Sequence, residues 1–199
     1  EEILFLQSMK TKLIASFIIV FVSLQMHSQT IEPLKVEIEK IYQATVVLDY
    51  DAILDATYPK VFEIVPKEQM KEVLKSTFNG DEGIKIKLLP TQPEFSFGEI
   101  FKIDNQSFCL VDHNLSMQLT MDEKMEDVEM MISIFKSALE TEKVTFDEPT
   151  NTFTIHKRST MIGIYDEFTN NSWKFLNKDK NNVLANKLLS EKVIKTLGL

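Results

Sequence analysis

The spacing of apolar residues changes twice along the chain. From Ile31 to about Val47 the residues Leu34, Ile38, Ile41, Tyr42 and Thr45 recur at helical spacing, so this stretch is expected to be an amphipathic helix. A short second helix starts near Asp51 and must end near Pro59, because the residue before a proline is pushed out of the helical region. A third follows Pro66, which suits the first helical position. Met70, Val73, Leu74 and Phe78 form its buried stripe, and Asn79-Gly80 supplies a left-handed cap.

From Ile84 the period becomes two. Phe95, Phe97 and Phe101 are spaced by even numbers, and Asp104-Asn105 marks a turn before a long strand between Ser107 and Met121. One face of that strand carries Cys109, Val111, His113, Leu115, Met117 and Leu119. The other carries Phe108, Leu110, Asp112 and Asn114 before turning polar. A helix over 122–140 then interrupts the strands: Thr120-Met-Asp-Glu123 has capping-box spacing, and Met125, Val128, Met131, Ile132, Phe135 and Leu139 form its stripe. Strands are expected around Val144 to Phe146, Thr152 to His156, Ser159 to Tyr165 and Ser172 to Leu176. Helical segments carrying Leu184, Leu188, Ile194 and Leu197 close the chain. Helices first and a meander afterwards predict an α+β fold: N-terminal helices packed on a curved, mostly antiparallel sheet, with an additional helix inserted between strands.

Before all of this stands a segment of different character. Lys10 and Lys12 form a charged region, Leu13 to Leu24 an apolar run, and Met26-His27-Ser28 a short cleavage region, the order of a secretory signal peptide cut after Ser28. The apolar run is shorter than the roughly 20 residues a spanning helix needs, so no stable membrane anchor is expected after cleavage. This divides the chain into 1–28, upstream residues and signal peptide, and a single domain over 29–199, secreted or periplasmic. A domain of about 170 residues can bury a self-sufficient core. It has to, because Cys109 is the only cysteine and no intramolecular disulfide can form.

The formal net charge of -8 argues against nucleic acid as a partner, since phosphate backbones require clustered Lys and Arg. The one basic run, His156-Lys157-Arg158, reads as the solvated end of a strand. Asp49, Asp51 and Asp55 cluster at a helix start, where capping and the helix dipole account for them without a metal ion. The chain has no Gly-x-Ser-x-Gly elbow, no phosphate-binding glycine loop and no zinc-ligand spacing, so neither metal nor cofactor is expected.

The order of elements, together with the segment "LDYDAILDATYPKVF" and the helix "PKEQMKEVLKSTF", resembles the opening of the NTF2-like (cystatin-like α+β, SnoaL-like) superfamily. The resemblance covers residues 31–119 and 144–177, and the helix over 122–140 departs from it. It implies a long helix and two shorter ones in the concave face of a sheet, and a cavity in which enzymes of the superfamily place Asp, His or Tyr. Asp112 and His113 are strand neighbours and must face opposite ways, so they cannot form a dyad. His113 shares the apolar face, where burial lowers an imidazole pKa. Its nearest suitable partners in such a fold are Tyr42, Tyr50 and Tyr165, and these four residues are the candidate pocket. Two functions remain open: a non-enzymatic domain that binds a small apolar ligand or a protein partner, or forms a homodimer through its sheet; and a cavity enzyme of the isomerase or dehydratase kind. Two or more convergent titratable side chains in the cavity would favour the enzyme, and a filling of Phe and Met would favour binding.

Overall fold

A computed structural model describes residues 31–81 and 83–199, so the signal-peptide reading lies outside the described residues. The described chain is α+β. Helix α1 (Ile31–Val46) leads into α2 (Tyr50–Ala56), whose first turn is capped by the Asp49 carboxylate accepting from the Ala52 amide at 3.1 Å. After a 3-10 turn over Pro59–Glu63 comes α3 (Lys67–Asn79), closed by Gly80 in the left-handed conformation at φ 85. Pro66 is the N-cap of α3 and not its first helical residue. The expected stripe of α3 is also only partly correct: no residue of the helix is fully buried, and Val73 is 56% exposed. The helix lies against α2 and the strand that follows, at the margin of the core, where one line of half-buried residues suffices.

Seven strands form one antiparallel sheet: β1 (Ile84–Leu88), β2 (Ser96–Phe97), β3 (Phe101–Ile103), β4 (Gln106–Met121), β5 (Lys143–Asp147), β6 (Thr152–Tyr165) and β7 (Lys174–Asn177). The long strands β4 and β6 are its spine. They pair without a break from Ser107 opposite Tyr165 to Thr120 opposite Thr152. The two strands expected at Thr152 to His156 and Ser159 to Tyr165 are therefore one. Ladder hydrogen bonds to β4 carry the chain straight through His156-Lys157-Arg158, which sits mid-strand and not at a strand end. β7 begins at Lys174, two residues later than Ser172.

Helix α4 (Val128–Leu139) is the inserted one, and it starts later than its sequence signal. Thr120 and Met121 stay in β4, and the Thr120 hydroxyl meets that of Thr152 across the sheet at 2.9 Å. Asp127 caps the helix instead, accepting from the Met130 amide at 2.9 Å. Cross-strand pairing outweighs an isolated capping motif when the strand is paired on both sides, as β4 is by β1 and β6.

The core has three parts. Leu34, Ile38 and Ile41 of α1 pack on Cys109 and Val111 of β4 and on Met161, Trp173 and Phe175. Gly163 permits the close seating there: a Cβ at that position would stand 3.1 Å from Leu34 Cδ1 and 3.4 Å from Trp173 Cε3. The residues of opposite parity, Phe108, Ile162 and Ile164, pack with Tyr58, Val61 and the C-terminal helices α5 (Val183–Leu188) and α6 (Glu191–Leu197). The third part joins Leu119, Phe153, Ile155 and Val144 to Val128, Met131, Ile132, Phe135 and Leu139 of α4, and Met125, expected in the helix, packs there from the segment before it. Among the described residues, no helix is long and apolar enough to cross a membrane.

Candidate functional site

β1 and β2 both pair with β4, and between them residues 89–95 leave the sheet edge. Leu88 stands opposite Met117 and Ser96 opposite Asp112, so seven residues on one side span four on the other. This excess forms a strap over the middle of β4. It is tied down by the Glu94 amide donating to Asn114 Oδ1 at 2.8 Å, by Asn114 Nδ2 donating to the Gln92 carbonyl at 3.1 Å, and by the Tyr42 hydroxyl donating to the Thr91 carbonyl at 2.7 Å. Two prolines, Pro90 and Pro93, suit a stretch that leaves the ladder.

Under the strap lies His113, 4% exposed. The Phe95 ring rests against it with centroids 6.4 Å apart, and Tyr42 meets the other side of Phe95 edge-on at 5.8 Å. His113 Nδ1 has no hydrogen-bond partner among the described residues. Burial pulls the imidazole pKa below its ordinary value of 6.5, the positive charge of Arg158 acts in the same direction, and the opposing pull of Asp112 is smaller than that of Arg158. Asp112 points away, as strand alternation requires, and accepts from the Thr160 hydroxyl at 2.6 Å.

The four expected pocket residues do not converge. Tyr42 and His113 share Phe95 but make no hydrogen bond to each other, because the Tyr42 hydroxyl is spent on Thr91. Tyr50 packs against Phe78 at the seam between α2 and α3. Tyr165 stacks on Trp173 at 5.7 Å and donates to Asn171 Oδ1. The Tyr–His acid/base couple therefore does not form, and Phe95, Phe97 and Met161 occupy the space between α1 and the sheet.

Beside this filled interior, α1, the start of α2 and the strap enclose an open groove of about 770 Å³. Its apolar lining comes from Val36, Ala44, Val47, Ala52, Pro93 and Phe95, and Glu39, Lys40, Gln43, Asp49 and Gln92 complete the rim. Val36 and Val47 are 50% and 71% exposed. Val47 follows the last residue of α1 and its amide still donates to the Gln43 carbonyl at 3.1 Å, so the two valines, eleven residues or three helical turns apart, lie on one line distinct from the core stripe of α1. That second apolar line is the signal in the sequence that points to the groove.

One further titratable constellation has no sequence signature. Asp166, 5% exposed, receives the Tyr58 hydroxyl at 2.7 Å, Gln106 Nε2 at 2.8 Å and the Phe168 amide at 2.9 Å. Tyr58 is fully buried, and desolvation followed by the Asp166 carboxylate pushes its pKa up. Every oxygen of the carboxylate is satisfied by protein donors, which makes this a structural clasp between the 3-10 turn and the end of β6. The Cys109 thiol, fully buried, is likewise raised by burial, to about 11, which keeps it protonated at neutral pH. No group of three or more His, Cys, Asp or Glu side chains suited to a metal ion occurs among the described residues.

No known family model matches the chain, and no curated protein matches it either.

Proposed function

We propose that the chain is an exported, non-enzymatic binding domain, NTF2-like in the order of its elements, that holds a small apolar ligand in the groove between α1 and the 89–95 strap. The observation that carries the reading is the line of exposed valines, Val36 on α1 and Val47 just past its end, facing Phe95 and Pro93 across a groove of about 770 Å³. That volume suits a small organic molecule, and a mostly apolar wall with a polar rim is the usual composition of such a site. Leaving two large apolar side chains in water on an otherwise polar helix face forgoes burial energy, on the order of 1 kcal/mol or more each, that a bound molecule would recover.

The surroundings of His113 support binding over catalysis. A general acid or base must itself lie within hydrogen-bond reach of the proton it transfers, and His113 faces an aromatic ring under a tied-down strap. The order of charged, apolar and small residues over Lys10 to Ser28 supports export. The test is titration with an environment-sensitive apolar dye. Saturable binding that Val47→Asp weakens at least about tenfold, with an unchanged unfolding midpoint, supports the reading, since a charge in an apolar contact costs more than 1.4 kcal/mol. Dye binding unaffected by Val47→Asp and Val36→Asp would overturn it.

A further inference from the structure

The chain's single arginine, Arg158, lies within its one basic run, and the fold places that run across a second groove, of about 720 Å³. His156 stands directly opposite Ser116 on β4 and Lys143 on β5, and Arg158 stands opposite Asn114. Directly opposed residues on neighbouring strands project to the same side, as do residues two apart on one strand, so Lys143, His156 and Arg158 share a sheet face. Buried Ser116 holds the imidazole: its Oγ is 2.7 Å from His156 Nδ1, which leaves the far nitrogen of the ring for a ligand. Arg158 gives one Nη1 hydrogen bond to the Glu94 carbonyl at 3.2 Å, and neither it nor Lys143 forms an ion pair with a carboxylate among the described residues.

We infer that this groove binds a small hydroxylated molecule bearing a single carboxylate, with the carboxylate on Arg158 and Lys143 and a hydroxyl of its body on the far ring nitrogen of His156. Arginine is suited to that task because its guanidinium keeps further donors in a fork that matches a carboxylate. The same groove is lined by the acids Glu94, Glu140 and Glu142, of which Glu142 is already paired with Lys136 at 3.0 Å. Acids interspersed with the cations along one groove admit one negative charge and repel a second, so a monocarboxylate is favoured over a phosphate dianion. The net charge of -8 adds to that discrimination.

The experiment uses isotope-labelled full chain at low ionic strength, with glucuronate, glucose and inorganic phosphate as probes, and reads the His156 ring and Arg158 side-chain signals by NMR. Saturable shifts with glucuronate are expected, weaker with phosphate and absent with glucose. Arg158→Gln, which can still donate to the Glu94 carbonyl, and Lys143→Gln, at an exposed site, are each expected to weaken glucuronate binding by about tenfold. Shifts that do not saturate, that glucose reproduces, that phosphate produces at lower concentration, or that persist unchanged in both variants would overturn the inference.

Discussion

At the scale of single residues the structure turns on two buried polar groups treated in opposite ways. Asp166 has a donor for each of its oxygens, whereas His113 keeps Nδ1 unpaired. Removing the Tyr58 hydroxyl deletes one of several donors to Asp166, so Tyr58→Phe should cost about 1 kcal/mol. Asp166→Ala strands the Tyr58 hydroxyl and Gln106 together and should cost about 3 kcal/mol or more. Urea unfolding followed through the single buried Trp173 measures both, and equal small losses would mean that the clasp is not a buried network. His113 gives a pH dependence of definite sign. Its folded pKa lies below 6.5, so the unfolded chain takes up a proton that the folded chain refuses. The His113 contribution is then flat above 6.5 and becomes destabilising as pH falls from there through the depressed folded value. The unfolding midpoint of His113→Leu should therefore gain on that of the parent chain as pH is lowered from about 7.5 to 5. An unchanging difference would place the ring in water. Alternation along β4 makes the burial of His113 legible in the sequence, but the identity of its neighbour is not, because Phe95 reaches it only through a strap whose length depends on where β1 and β2 dock.

At the scale of elements, the sequence is most informative where a periodic stripe packs on the core, as in α1, and where a glycine closes a helix, as Gly80 closes α3. It misleads where tertiary pairing overrides a local signal. The charged run at 156–158 suggests a break, yet β6 continues because β4 supplies a partner for every residue. The Thr120 to Glu123 motif suggests a helix start, yet Thr120 remains in the sheet. Helix α4 shows what its stripe does: Phe135 meets Phe153 at 5.0 Å, and Phe146 meets the same ring at 4.6 Å. Phe153 is fully buried and central to this cluster, so Phe153→Ala should cost about 3–5 kcal/mol. Phe135 is half-buried, so Phe135→Ala should cost roughly half as much, about 2 kcal/mol. The ratio is the check. A loss well below 1 kcal/mol for Phe135→Ala would mark α4 as a loosely held cover and not part of the core.

At the scale of the whole molecule, the α+β architecture follows from three helical stripes ahead of a long alternating region, while the position of the groove beside α1 does not. The groove depends on α1, α2 and the strap meeting at one place, and only Val36 and Val47, apolar residues off the core stripe, hint at it beforehand. The interior that the sequence offered as a cavity for catalysis is packed instead, and the groove proposed to hold a ligand lies beside it, between α1 and the strap. Native mass spectrometry of the protein purified from the organism that makes it tests this account most directly. The predicted result is an adduct of small-molecule mass at one equivalent per chain, released by organic solvent and missing from Val47→Asp. A chain that flies without an adduct from its own host, or an adduct equally retained by Val47→Asp, would contradict it.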